Sequence, residues 1–157
     1  MKTSNGVKNI LIIGGIAILL LAGGAWWSQS LQSSDPDVIS TRGVHWHPQL
    51  TLYVNDEKQD IPADIGIGTQ YASMPTFDQS MRMTAMHTHE GDGTIHLEFS
   101  GRVTREDTTL GNFFQIWGKD MMSDFGTLTT MTVNGKENTE LGEYEMKDGD
   151  KIELYYE

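Results

Sequence analysis

The hydrophobic pattern near the N-terminus is a continuous apolar run. Residues 10–27 hold eighteen positions without a charge, close to the ~20 apolar residues that a bilayer-spanning helix needs. Lys2 and Lys8 precede the run and the next basic residue is Arg42, so the positive-inside rule places residues 1–9 in the cytoplasm. A cleaved signal peptide is the alternative. Its apolar core is ~7–15 residues, so the length favours an uncleaved single-pass anchor in the cell membrane.

After the anchor the chain becomes polar before an alternating pattern begins. Residues 28–42 include Pro36 and show no period, which predicts a flexible linker. Residues 43–157 predict one extracytoplasmic domain. Its first segment, residues 45–54, alternates with a period of two, which predicts a strand with one core-facing side. The apolar parity consists of Trp46, Leu50, Leu52 and Val54.

The middle of the domain predicts shorter extended segments. Residues 59–67 predict a second strand, placed at a sheet edge because Pro62 cannot donate a ladder hydrogen bond. Residues 69–85 lack a period and predict a long loop. Residues 87–99 predict two extended runs around a tight turn, and in the second run Ile95, Leu97 and Phe99 alternate toward the core.

One helix and further strands complete the pattern. Thr108 or Thr109 is a suitable N-cap and Gly118 a suitable end for a helix, whose apolar residues recur at helical spacing: Leu110, Phe113, Phe114 and Trp117. Strands are predicted over residues 127–133, 144–146 and 152–156, the first followed by an Asn134-Gly135 hairpin turn. These elements predict an α+β fold, a small mixed or antiparallel sheet with one helix packed across it.

Composition and charge narrow the chemistry. The 157 residues include no cysteine, which excludes disulfides, thiolate metal sites and cysteine nucleophiles. The net charge is −11, and the part beyond residue 9 holds 9 basic and 22 acidic residues, a charge of −13. Such an acidic surface argues against nucleic acid as a partner and favours cations.

The five histidines lie in two clusters. His45 and His47 form one pair, and His87 and His89 form another, with His96 following shortly after. Side chains at positions i and i+2 of a strand project on the same face ~6.6 Å apart, so two imidazoles can reach one metal ion. Where the strand pattern is clear, the histidines alternate with the core-facing residues and therefore project from the opposite face of the strand. If the strands of His45 and His96 are neighbours, up to five imidazoles gather on one patch.

Other donors near the second cluster bear on the identity of the ion. Met83 and Met86 offer thioether sulfur, which suits Cu(I), whereas imidazole suits Cu(II), zinc or iron. Glu98 adds a carboxylate on the same strand as His96. We predict a transition-metal site of the five histidines with Met83, Met86 and Glu98 as further ligands, and we favour copper over zinc.

Several motifs together resemble a family of single-pass, extracytoplasmic archaeal and bacterial proteins of unknown function. They are His45-Trp46-His47, His87-Thr88-His89, Gly93-x-Ile95-His96-x-Glu98 and Leu110-Gly111-x-Phe113-Phe114-x-x-Trp117-Gly118. The resemblance implies the anchor and the external domain but no activity. The C-terminal run resembles the end of ubiquitin-like β-grasp domains, which implies a β-grasp-like fold. Family members often have Asp after the second histidine pair, and Glu90 keeps a carboxylate there.

A non-enzymatic metal-binding module is the primary hypothesis, and two other classes stay open. The first is an interaction module with a membrane-protein partner, in which the histidines are structural. The second is a histidine-ligated metalloenzyme. The sequence contains no nucleophile-elbow, P-loop or H-E-x-x-H motif, so an enzyme would depend on an open position on the ion.

Overall fold

The computed structural model describes residues 5–32 and 35–157, which fall into two units, residues 1–36 and 37–157. The first unit contains helix α1 (Asn5–Gln32). Its Lys8–Ser30 stretch has 23 residues and a mean hydropathy of 2.2, long and apolar enough to cross a membrane. At ~1.5 Å per residue it measures about 35 Å, against about 30 Å of bilayer hydrocarbon. A membrane-spanning helix is therefore compatible with this unit.

The second unit is built mainly of short strands with one α-helix. The strands are β1 (Val38–Ser40), β2 (Val44–Trp46), β3 (Gln49–Val54), β4 (Glu57–Gln59), β5 (Phe77–Asp78), β6 (Met83–Thr84), β7 (Met86–His87), β8 (His96–Phe99), β9 (Val103–Thr104), β10 (Leu128–Val133), β11 (Lys136–Glu137) and β12 (Lys151–Tyr156). Helix α2 (Leu110–Trp117) lies between β9 and β10 in the chain. Short 3₁₀ turns occur at Thr69–Tyr71, Glu106–Thr108 and Leu141–Glu143. The predicted α+β class is confirmed.

A five-stranded mixed sheet forms the larger part of the domain. Its strand order is β11-β10-β12-β3-β4. The central strands β3 and β12 are parallel and pair Leu52 with Leu154, while the outer pairs are antiparallel. Both leucines are fully buried in one hydrophobic core with Phe113 and Phe114 of α2. Helix and sheet therefore bury their apolar sides against each other.

The predicted signals at both ends of α2 are confirmed. Thr109 is the N-cap, with its hydroxyl accepting a hydrogen bond from the Asn112 backbone N–H at 3.3 Å, and Gly118 ends the helix with φ 74°. Gly111 lies inside the helix, where glycine costs about 1 kcal/mol relative to alanine. A Cβ at Gly111 would lie 2.9 Å from the Gly142 carbonyl oxygen, so close backbone packing accounts for the glycine.

A separate three-stranded antiparallel sheet, in the order β2-β8-β7, lies beside the core. Its registers place His45 opposite Glu98 and His87 opposite His96. Leu97 between them is fully buried, so the alternation of β8 directs His96 and Glu98 to the other face, as predicted. Two further antiparallel pairs, β1 with β9 and β5 with β6, flank these sheets.

Several sequence-based boundaries differ from the structure. The compact unit that contains the strands begins at Asp37, whereas the domain was predicted to begin at residue 43, because β1 pairs with β9 inside the segment predicted as a linker. The helix α1 also extends past residue 27 to Gln32. The predicted strand over residues 45–54 is divided by Pro48 into β2 and β3, which join different sheets. Proline has no N–H for a ladder, which explains the break.

Two other predicted strands differ from the structure. The predicted strand over residues 59–67 is wrong: β4 ends at Gln59, and the segment with Pro62 forms no strand, so the edge position inferred from that proline does not apply. Residues 144–146 form a single bridge between Glu145 and Thr109 instead of a strand. The predicted loop over residues 69–85 contains β5, β6 and a 3₁₀ turn, because local pairing satisfies backbone groups that periodicity does not reveal.

Candidate metal centre

The three-stranded sheet brings all five imidazole rings into one cluster. Adjacent ring centroids are 4.8 Å apart for His45–His47 and His47–His96, 4.7 Å for His96–His89 and His89–His87, and 5.4 Å for His87–His96. The condition stated from the sequence, that β2 and β8 are neighbours, is therefore met. Chain segments about forty residues apart in sequence supply the two halves of the cluster.

His87, His89 and His96 form the first group, which we call the tri-histidine group. One ring nitrogen of each lies within 4.8 Å of the others, an arrangement that could hold a metal ion. His87 is buried at 1% exposure, His96 is half-buried and His89 is exposed. The group therefore has a buried base and one side open to solvent.

The hydrogen bond of His87 fixes which of its ring nitrogens carries the proton. Its Nδ1 lies 2.9 Å from the Thr84 carbonyl oxygen, and because a carbonyl only accepts, Nδ1 must donate. Nε2 then carries the lone pair of the neutral ring. Nε2–H of His89 donates a hydrogen bond to this nitrogen, with the two Nε2 atoms 3.2 Å apart. Two nitrogens bound to one tetrahedral ion at ~2.0–2.1 Å lie about 3.3 Å apart, so the observed spacing matches shared ligation.

His96 contributes an unusual polar atom. Its Nδ1 is buried and has no hydrogen-bond partner among the described residues. The nearest carboxylate oxygen, Oε1 of Glu98, is 3.8 Å away, which is too long for a hydrogen bond. A buried polar group without a partner costs about 1–3 kcal/mol, so this nitrogen calls for a function that uses it.

The environment disfavours the protonated form of the two inner imidazoles, His87 and His96. Burial lowers the pKa of His87, although its hydrogen bond to Thr84 acts in the opposite direction. Burial also lowers the pKa of His96, and the nearby His89 and His47 lower it further. Metal ions bind the neutral form of imidazole, so a lowered pKa extends metal binding to more acidic solutions.

His45, His47 and Glu98 form a second group, which we call the His–Glu group. Their ligand atoms also lie within 4.8 Å of one another, and Nε2 of His45 is 3.4 Å from Oε1 of Glu98. The side chain of His45 is 67% exposed and that of Glu98 is 30% exposed. This group is therefore the more accessible of the two.

The two methionines predicted as ligands occupy different environments. Met86 is fully buried in the hydrophobic core, because β7 directs it to the side opposite His87. Met83 is half-buried and lines a cavity of about 310 Å³ that His87 and Glu98 also border. The geometry leaves Met83 as a candidate thioether ligand and removes Met86 from the site.

Sequence reasoning missed two residues that support the histidines. The Thr84 carbonyl accepts from His87, and a backbone acceptor leaves no mark in a residue pattern. Asp148 accepts a hydrogen bond from the His47 backbone N–H at 2.9 Å, and the same oxygen lies 3.8 Å from Nδ1 of His47. Asp148 precedes Gly149 in the sequence, a dipeptide typical of turns, and no local signal indicates its contact with His47.

No family model, curated protein or solved structure matches this chain. Fold and site together define an α+β domain with a cluster of five histidines, in a chain whose N-terminal helix is long and apolar enough to cross a membrane. The function is accordingly inferred from the histidine geometry.

Proposed function

We propose that the chain is a membrane-anchored, extracytoplasmic metal-binding module that captures or delivers a transition-metal ion through its clustered histidines. The observation that supports this most directly is the tri-histidine group. There the Nε2 atoms of His87 and His89 approach to 3.2 Å, and the ring of His96, whose buried Nδ1 has no hydrogen-bond partner among the described residues, lies 4.7 Å from the ring of His89. The activity that we propose is metal binding, and this proposal does not depend on a catalytic step.

A purely structural role for these histidines fits the geometry less well. Structural histidines normally satisfy both ring nitrogens with donors and acceptors. Here one buried nitrogen of His96 lacks a partner among the described residues, and burial lowers the pKa of both His87 and His96. A metal ion uses neutral lone pairs directly, so it offsets the cost of gathering them.

The thioether of Met83 supports copper over zinc. Met83 lines the same cavity as His87, and thioether sulfur is a soft donor suited to Cu(I). We expect Met83→Leu to weaken Cu(I) binding by about tenfold or more while zinc affinity stays within about threefold, as measured by competition with chromogenic chelators. Met122→Leu changes an exposed methionine outside the cavity lining and is the matched control. An equal effect on both metals would argue against the copper preference.

The apolar helix and the acidic domain support the location. We propose that residues 10–27 anchor the chain in the cell membrane with residues 1–9 in the cytoplasm. The external −13 charge would then raise the cation concentration near the site. The chain has no cysteine, so Ser123→Cys at an exposed position introduces a single label. Labelling by a membrane-impermeant maleimide is expected in intact cells, and labelling only after lysis would contradict the orientation.

We further propose that the larger sheet is β-grasp-like. Its strands come from an N-terminal hairpin, β3 and β4, and from three C-terminal strands that follow α2, with β3 and β12 parallel to each other. This arrangement and the resemblance of the C-terminal run support the assignment. A fold of this kind hosts many functions, so the metal proposal depends on the histidines alone.

The direct test is metal titration of the full chain in detergent. We expect submicromolar binding of Cu(II), Cu(I) or Zn(II), monitored by calorimetry or by competition with a chelator. His89→Ala removes an exposed ligand of the tri-histidine group, and we expect a loss of at least tenfold in affinity. Gln115→Ala, at an exposed position of α2, is the matched control. The proposal fails if none of the three ions binds more tightly than micromolar.

The cavity favours a metalloenzyme as the second candidate. Three protein ligands beside an open position are typical of catalytic zinc sites, and the cavity of about 310 Å³ next to His87 is within the range of small-ligand sites. Azide added to the Cu(II)-loaded chain should then change its visible spectrum. An unchanged spectrum would indicate a saturated ion and would exclude this candidate.

A further inference from the structure

The His–Glu group has ligand spacings of its own. Nε2 of His45 and Oε1 of Glu98 are 3.4 Å apart, and an ion bound by both at ~2.0–2.2 Å would hold them at about that distance. The ring of His47 is 4.8 Å from that of His45. Three side chains therefore converge at a point that the tri-histidine group does not use.

The two groups are too close to be independent. Strand β8 supplies His96 to one group and Glu98 to the other, on the same face and two positions apart, which spaces their Cα atoms by ~6.6 Å. The ring of His96 contacts His89 at 4.7 Å and His47 at 4.8 Å, one histidine from each group. Nδ1 of His96, which has no hydrogen-bond partner among the described residues, faces Oε1 of Glu98 at 3.8 Å.

We propose that the His–Glu group binds a second transition-metal ion, so that the two groups form a dinuclear centre with His96 between the ions. This inference rests on the proposed metal-binding function and adds its stoichiometry. The two ions would be roughly 4–7 Å apart. The lower value is the ion spacing in paired metal sites, and the upper value is the spacing of alternate residues on a strand.

Nearby carboxylates offset the charge that two cations bring together. Glu98 provides an anionic ligand between the groups, and Oδ1 of Asp148 lies 3.8 Å from Nδ1 of His47. A carboxylate beside a ligating imidazole orients the ring and raises its basicity. A single ion shared by the cluster is the other arrangement, and the number of bound ions separates the two.

The test is the metal content of the full chain in detergent, loaded with Cu(II), dialysed and analysed by mass spectrometry, together with its electron paramagnetic resonance spectrum. We expect about two ions per chain and a spin-coupled spectrum with a half-field signal. About one ion per chain in the unmodified protein, with an uncoupled spectrum, would overturn the dinuclear inference and leave the proposed function intact. No retained ion would overturn the proposed function itself.

Variants of the His–Glu group show which side chains bind the second ion. His45→Gln changes an exposed side chain, 67% accessible, and should keep the fold while reducing the content to about one ion and abolishing the half-field signal. Glu98→Gln should do the same, and circular dichroism reports whether each variant is folded. If a folded His45→Gln protein retains both ions and the coupled spectrum, the inference is wrong. Parallel loading with Zn(II) should give the same stoichiometry.

Discussion

Replacing His96 by leucine should separate metal binding from stability. His96 lies at the centre of the cluster, its side chain is 22% exposed, and its buried Nδ1 has no hydrogen-bond partner among the described residues. Leucine is apolar and of similar size, so His96→Leu removes the unpartnered nitrogen while filling the space. We expect the metal-free variant to be at least as stable as the unmodified chain.

The magnitude follows from the cost of a buried polar group. An unsatisfied donor or acceptor costs about 1–3 kcal/mol, and partial exposure of this ring places His96 near the lower end. The free energy of unfolding should therefore rise by about 1 kcal/mol in the metal-free variant. With metal at 100 times the dissociation constant, the unmodified chain gains about 2.7 kcal/mol, and the variant loses most of that gain. The unmodified chain should therefore be the more stable protein with metal, and the His96→Leu variant the more stable protein without it.

Urea unfolding of the full chain in detergent measures both effects. Circular dichroism follows the domain with excess chelator and again with excess Zn(II). His45→Leu is the matched control, because the same substitution at a side chain 67% exposed should change the metal-free stability by less than about 0.5 kcal/mol.

One result would refute this reasoning. If metal-free His96→Leu is less stable than the unmodified chain by about 1 kcal/mol or more, His96 makes a favourable structural contribution. The cluster would then be better explained as a polar network that stabilises the fold, as the interaction-module hypothesis requires.

Three other predictions follow from the structure. Burial lowers the pKa of His87 in the folded chain, so as the pH falls the unfolded chain takes up a proton before the folded chain does. The metal-free free energy of unfolding should therefore be highest above about pH 6.5 and should fall as the pH drops from there toward the lower pKa of the folded state. A urea-unfolding profile that stays flat from pH 7 to 5 would contradict this. Gly93→Ala should lower the free energy of unfolding by more than the ~1–3 kcal/mol of backbone strain, because its Cβ would also lie 2.2 Å from the Leu50 carbonyl oxygen. The control is Gly101→Ala, which has a similar φ but open space around the new Cβ. Thermal unfolding should show a larger loss of stability for Gly93→Ala than for Gly101→Ala. Tyr144→Phe removes a buried 2.7 Å hydrogen bond to Asp150 and should lower the unfolding free energy by about 1.5–3 kcal/mol, and urea unfolding with no measurable loss would show that this bond contributes little.

The sequence pattern correctly predicted the elements that depend on residues close together in the chain, such as the helix α2 and the strand β8. The helix α2 was predicted with its cap at Thr108 or Thr109 and its end at Gly118, because capping and helical periodicity are properties of adjacent residues. The alternation in β8 correctly placed Leu97 in the core and His96 on the opposite face. Met86 was misassigned, because thioether chemistry suggested a ligand while the pleat of β7 directs it to the core.

The sequence alone determined that the chain carries a long apolar run, an acidic remainder and five histidines in two clusters, with the β8 histidine facing away from the core. Only the tertiary structure decided that β2, β8 and β7 are neighbours in a register that sets His45 opposite Glu98 and His87 opposite His96. Strand pairing joins distant segments, and its register depends on core packing and turns rather than on any residue's immediate neighbours. That is why the tri-histidine group and the His–Glu group, and their closeness, became visible only in three dimensions.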